Sequence, residues 1–142
     1  MKISEHFELQ EFVSKDIYTK WRDKSIWFIR PEIIKLAEFY REYFDAPVTI
    51  NNWHINGSFN YRGFREPECK IGAHLSQHRF GNAFDCNIKG LTPDEVRDSI
   101  IKNSPRFMEA GLTTLEDGSI AKTWVHSDCR TTNSNYIFIV LP

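Results

Sequence analysis

Three residues have the types and setting to bind a metal ion together: His78, Asp85 and His126. The first two lie in Ser76-Gln77-His78-Arg79-Phe80-Gly81-Asn82-Ala83-Phe84-Asp85, on either side of a glycine turn. The third lies in Thr123-Trp124-Val125-His126-Ser127-Asp128. Two imidazoles and a carboxylate form a set that catalytic zinc accepts, with one position left for water. Taken singly, each has a plainer use. Either histidine can serve as a hydrogen-bonded structural residue, and the aspartate can cap a turn or pair with an arginine.

Strand alternation adds detail to the late segment. In a strand over Lys122 to Asp128, Trp124, His126 and Asp128 share one face, while Val125, Ser127 and Cys129 share the other. Glu116, across an expected hairpin, then comes near the polar face as a candidate general base. The irregular stretch from Asn52 to Leu75 is rich in Asn, Gly, Arg and aromatic residues, and suits a cleft wall. Arg62 and Arg65 are its interesting members, with solvated arginines stacked on Tyr61 or Phe64 as the alternative. His54 and His74 are assigned surface or packing roles ahead of proton donation.

The elements that must position these groups follow from the hydrophobic pattern. Pro31 at a first helical position, then Ile33, Leu36, Ala37, Tyr40 and Phe44, predict a helix that Asp45-Ala46-Pro47 ends. Val48 to Asn51 and Ala83 to Ile88 read as strands. Thr92-Pro93-Asp94-Glu95 matches a capping box and predicts a helix from Pro93 to about Lys102. Gly111 to Glu116 and Lys122 to Asp128 read as a hairpin around Asp117-Gly118-Ser119, and Tyr136 to Leu141 as a last strand. Ser4 to Ser14 reads as a short amphipathic segment opened by a Ser4 cap, and Lys15 to Ile29 as a loop with a helical turn. The sum is an α+β domain over 1–142: a small, largely antiparallel sheet with helices packed on it.

Bulk properties narrow the function classes. With 142 residues, 41% of them hydrophobic, and a net charge of -1, the chain has a globular composition. It lacks the basic excess of a phosphate-binding surface, so nucleic acid is not the expected partner. The N-terminus lacks a signal-peptide pattern and no apolar run approaches a membrane span, which predicts synthesis in the cytoplasm. Cys69, Cys86 and Cys129 are odd in number and lack CxxC spacing, so reduced thiols are expected. The expected oligomeric state is a monomer.

The run Ser76, His78, Gly81, Ala83, Asp85 resembles the S-x-H-x-x-G-x-A-x-D pattern of the zinc D-alanyl-D-alanine carboxypeptidases and phage L-alanyl-D-glutamate endopeptidases. Trp124-Val125-His126-Ser127-Asp128 is similar to their closing W-V-H-x-D element, and Phe64-Arg65-Glu66-Pro67-Glu68 to their Y-R-S-P-E element. The resemblance covers nearly the whole chain and implies the fold shared with hedgehog signalling domains. It implies Zn2+ on His78, Asp85 and His126, and Arg65 placing a substrate carboxylate or polarised carbonyl. Ser76 and Gln77 would line the pocket. The implied substrate is a peptidoglycan stem peptide or cross-link, reached from the cytoplasm through a holin or as part of a virion. One departure stands out: Thr123 occupies the position where many members carry a Glu or Asp. Glu116 is then the first choice for the base and Asp128 the second. A non-catalytic zinc-binding recognition module is the rival reading, and a metal-dependent nuclease a weaker one.

Overall fold

The computed structural model describes residues 1–142 as an α+β fold around one five-stranded mixed sheet. Its strands are β1 (Val48–Thr49), β2 (Ala83–Ile88), β3 (Thr114–Glu116), β4 (Val125–Asp128) and β5 (Phe138–Val140), in the spatial order β1-β2-β4-β3-β5. The pairings β1 with β2, β2 with β4 and β3 with β4 are antiparallel, in line with the expected largely antiparallel sheet. The exception is β5, which runs parallel to β3. Residues 129–137 carry the chain past β3, so the last strand joins on its far side.

Four α-helices accompany the sheet: α1 (Lys15–Trp21), α2 (Pro31–Phe44), α3 (Pro93–Lys102) and α4 (Ser104–Glu109). None is long and apolar enough to cross a membrane. The predicted α2 forms because Pro31 opens it and Ile33, Leu36, Ala37 and Tyr40 recur on one side, all buried. It stops where Asp45 turns left-handed, at φ 45°, ahead of Pro47. The predicted capping box opens α3: the Glu95 N–H donates to Thr92 Oγ1 at 3.2 Å and the Thr92 N–H to Glu95 Oε2 at 2.7 Å.

Several expectations are corrected. Ser4 to Ser14 holds only a 3-10 turn, Leu9–Glu11, capped by Glu8 rather than Ser4. Phe7, Leu9, Phe12 and Val13 still enter the core, because burial does not require a regular helix. Lys15 to Ile29 is more ordered than a loop: α1 is capped by Ser14, whose side chain accepts from the Ile17 N–H, and a 3-10 stretch, Arg22–Phe28, follows. The expected hairpin pairs as predicted, but its strands shorten to Thr114–Glu116 and Val125–Asp128, leaving Lys122 to Trp124 in a bend. α4 had no periodic signal long enough to reveal it.

The two faces of the sheet do different jobs. On one, Phe84 and Ser127 meet α2. The Tyr40 hydroxyl shares a 2.7 Å hydrogen bond with Ser127 Oγ, and its ring stands edge-on to Phe84 with centroids 5.4 Å apart. This is the core side, where each fully buried large apolar side chain contributes about 1.5–3 kcal/mol. The other face carries the polar residues.

Candidate metal centre

Residues paired directly across antiparallel strands point to the same face. Asp85 on β2 pairs with His126 on β4, and Leu115 on β3 pairs with Ser127, so one step further along the register Glu116 stands opposite His126. A carboxylate, an imidazole and a second carboxylate therefore form a row across three adjacent strands. Asp128, two residues beyond His126, shares their face.

His78 reaches this row from outside the sheet. It sits in the 3-10 turn Gln77–Phe80, which ends at Gly81 with φ +67°. A side chain at Gly81 would collide with the Phe28 carbonyl oxygen, so glycine is required on two grounds. The chain then enters β2 and brings Asp85 back beneath His78.

His78 Nε2, Asp85 Oδ1 and His126 Nδ1 form a triangle with edges of 3.2, 3.3 and 2.9 Å. Tetrahedral ligands at about 2.0–2.1 Å from zinc would stand roughly 3.3–3.4 Å apart, so the triangle is close to what such an ion needs. All three residues are buried, and they form a group that could hold a metal ion.

The surrounding hydrogen bonds decide which ring nitrogens are free. His78 Nδ1 lies 2.8 Å from the Gly63 carbonyl oxygen, which can only accept, so this nitrogen carries hydrogen and Nε2 keeps its lone pair in the neutral ring. His126 Nε2 lies 2.9 Å from Asp128 Oδ2 and donates to it, leaving Nδ1 as the lone pair. Both lone pairs and the Asp85 oxygen face one point. In that arrangement only a cation or a proton relieves their mutual repulsion.

Burial opposes charge on His126, but hydrogen bonds to Asp128 and Asp85 outweigh it and lift its pKa to about 10. Burial likewise opposes ionisation of Asp85, yet the adjacent imidazoles of His78 and His126 hold it well below the usual carboxylate range.

Arg65 also bears on Asp85. Its Nη2 donates to Asp85 Oδ2 at 3.0 Å and its Nε to the Tyr61 carbonyl at 2.6 Å. The arginine thus fixes the second carboxylate oxygen and leaves Oδ1 turned to the histidines. Only Nη1, beside Gly72, remains for anything in the cleft.

Asp128 and Glu116 differ sharply. Asp128 is 0% exposed and accepts from His126, from the Arg130 backbone N–H at 3.1 Å and from Arg130 Nε at 2.9 Å. Arg130 Nη2 also reaches its Oδ2, at 2.5 Å. Its oxygens are committed. Glu116 is half-buried and lines a cleft of about 510 Å³ that also contains His78, Asp85, His126, Trp124 and Arg130. Ile71, Leu75, Ile120 and Val140 supply apolar surface there, and Ser76 and Gln77 line it as well.

The remaining sequence candidates fall outside. Arg62 stacks on Phe59, its guanidinium carbon 3.4 Å from the ring centroid, and its carbonyl accepts the Asp85 N–H at 2.7 Å. It supports the site through the backbone. His54 and His74 do not line the cleft. Thr123 is exposed, with its carbonyl accepting from Asn87 Nδ2 at 2.8 Å. Two contributors were missed. Arg130 was signalled by the same alternation that groups Trp124, His126 and Asp128, carried one step further; the Gly63 carbonyl, a backbone group, left no side-chain signal. No family model, curated protein or solved structure matches this chain.

Proposed function

We propose that the protein is a zinc-dependent peptidase that hydrolyses a peptide bond in bacterial peptidoglycan. The observation that carries this reading is the convergence of two imidazole lone pairs and a carboxylate oxygen on one point, with a second carboxylate, Glu116, one strand away in the same cleft. The motif resemblance supplies the substrate class. A proton alone would satisfy the triangle, but would leave the adjoining cleft and Glu116 without a use.

The chemistry a zinc ion supplies at such a centre is acidification of water, to a pKa of about 7, and polarisation of a carbonyl. The chain's own residues do the rest. His78 and His126 are held in one tautomer each by Gly63 and Asp128, so no ligand has to reorient. Arg65 keeps Asp85 turned inward. Glu116 takes the proton from the attacking water and delivers it to the leaving amine, a role its place in the row supports and the saturation of Asp128 denies to the latter. Trp124 and the apolar surface of Ile71, Leu75 and Ile120 seat the peptide and exclude bulk water from the reacting carbonyl. Arg65 Nη1 is the donor available to the carbonyl oxygen.

The deciding experiment is mass spectrometry of peptidoglycan fragments after digestion with zinc-loaded protein. New amino termini in the stem peptide or cross-link are expected, and their positions name the bond. Zinc binding without any cleavage, across several cross-link chemistries, would overturn the reading in favour of a recognition module.

A further inference from the structure

The two histidines are held in place by different means. His78 donates to Gly63, a backbone carbonyl in a segment that the next residue ties down through Phe64 N–H to Phe12 O at 2.7 Å. No side chain is needed there. His126 depends instead on Asp128, a carboxylate with no exposure to water, whose negative charge would be strongly unfavourable unless paired.

Arg130 supplies that pairing. Its guanidinium grips both carboxylate oxygens, Nε to Oδ1 at 2.9 Å and Nη2 to Oδ2 at 2.5 Å, while its backbone N–H adds a third donor to Oδ1 at 3.1 Å. The fork sets the plane of the carboxylate, which a single ammonium could not do. The backbone is fixed as well. Thr113 Oγ1 donates to the Arg130 carbonyl at 2.6 Å, and the Thr113 N–H donates to the Asp128 carbonyl at 3.0 Å. Arg130 is thus restrained at its main chain by Thr113 and at its side chain by Asp128.

We propose that Arg130 is a positioning residue that sets the affinity of the metal centre, acting through Asp128 on the orientation of His126. The proposal rests on the metal reading of His78, Asp85 and His126. Losing a group one shell out from a metal ligand typically weakens binding about 10–100-fold. The competing explanation is an ion pair that merely stabilises the fold, and the two predict different measurements.

The test is the dissociation constant for Zn2+ of the full chain, by competition with a chromophoric chelator at neutral pH, for the wild type, Arg130→Gln and Arg130→Lys. A weakening of about 10–100-fold is expected for the glutamine variant and a smaller one for lysine, which keeps the charge but not the fork. The proton on His126 Nε2 gives a second readout: a downfield nuclear magnetic resonance signal in the zinc form of the wild type, lost in Arg130→Gln. Zinc affinity within about twofold of wild type in folded Arg130→Gln, well short of that range, overturns the proposal. If that variant does not fold, Asp128→Asn is compared with the Asp128→Asn/Arg130→Gln double variant: because Arg130 acts through Asp128, their zinc affinities are expected to agree within about twofold, and a further loss of about 10–100-fold in the double variant overturns the proposal. A wild type that binds no Zn2+ overturns the metal reading and this proposal together, whereas tight wild-type binding with an unaffected variant overturns this proposal alone.

Discussion

Asp85 and His126 are direct partners across β2 and β4, and the carboxylate Oδ1 of one stands 2.9 Å from Nδ1 of the other. Strand pairing alone therefore delivers two of the three converging atoms, and the glycine turn before β2 brings in the third.

Because each of these atoms is one corner of the triangle, removing any one should abolish tight metal binding. Asp85→Asn and His126→Ala are expected to weaken zinc affinity beyond the roughly 10–100-fold range of outer-shell losses. Calorimetric titration checks this. Retention of near-wild-type affinity by Asp85→Asn would exclude the aspartate as a ligand.

Glu116→Gln should separate binding from turnover. Gln has nearly the same shape but cannot accept the water's proton, so peptidoglycan cleavage should fall about 10²–10⁴-fold. Zinc stoichiometry, measured by elemental analysis, should stay unchanged. A variant as active as wild type would move the base elsewhere.

Metal removal should lower stability without unfolding the domain. The core is assembled from Phe7, Leu36, Tyr40, Phe84 and Phe107 among others, and none of them lines the cleft that holds His78, Asp85 and His126. Saturating zinc at about 100 times its dissociation constant should add about 2.7 kcal/mol. Scanning calorimetry with and without a chelator should show a lower but still cooperative transition for the metal-free form.

Gly81→Ala should damage fold and site together. The new methyl group meets the Phe28 carbonyl, and the backbone at φ +67° disfavours any side chain. A loss of about 1–3 kcal/mol in denaturant unfolding is expected, with weaker zinc binding because His78 and Asp85 flank the turn.

Glu11 gives a pH dependence independent of the metal centre. Burial lifts its pKa from 4.5 to about 7, against the hydrogen bond from the Glu8 backbone N–H and with repulsion from Glu8 and Glu38 adding to the rise. The folded state holds this proton more tightly than the unfolded one. Its contribution is therefore fully present below pH 4.5, is lost as pH rises towards 7, and is level above that. Glu11→Gln should flatten this decline in unfolding experiments across the window.

Local signals carried much of this protein. The stripe from Ile33 to Tyr40 and the reciprocal pattern of Thr92 and Glu95 specify their helices through contacts within a few residues, so they are legible without a fold. The types and order of His78, Asp85 and His126 are legible in the same way, as is the shared face of His126 and Asp128. What the chain order does not encode is which residues become neighbours across strands. The parallel entry of β5 depends on a connection crossing β3, and no local pattern distinguishes it from a simple return. The different surroundings of Glu116 and Asp128 likewise come from tertiary contacts. Both are acids near His126 in the pairing, but only Asp128 is buried with His126 and Arg130 occupying its oxygens, and only Glu116 lines the open cleft. A residue's identity sets what it can donate or accept; the packed surroundings determine which of those capacities remain free.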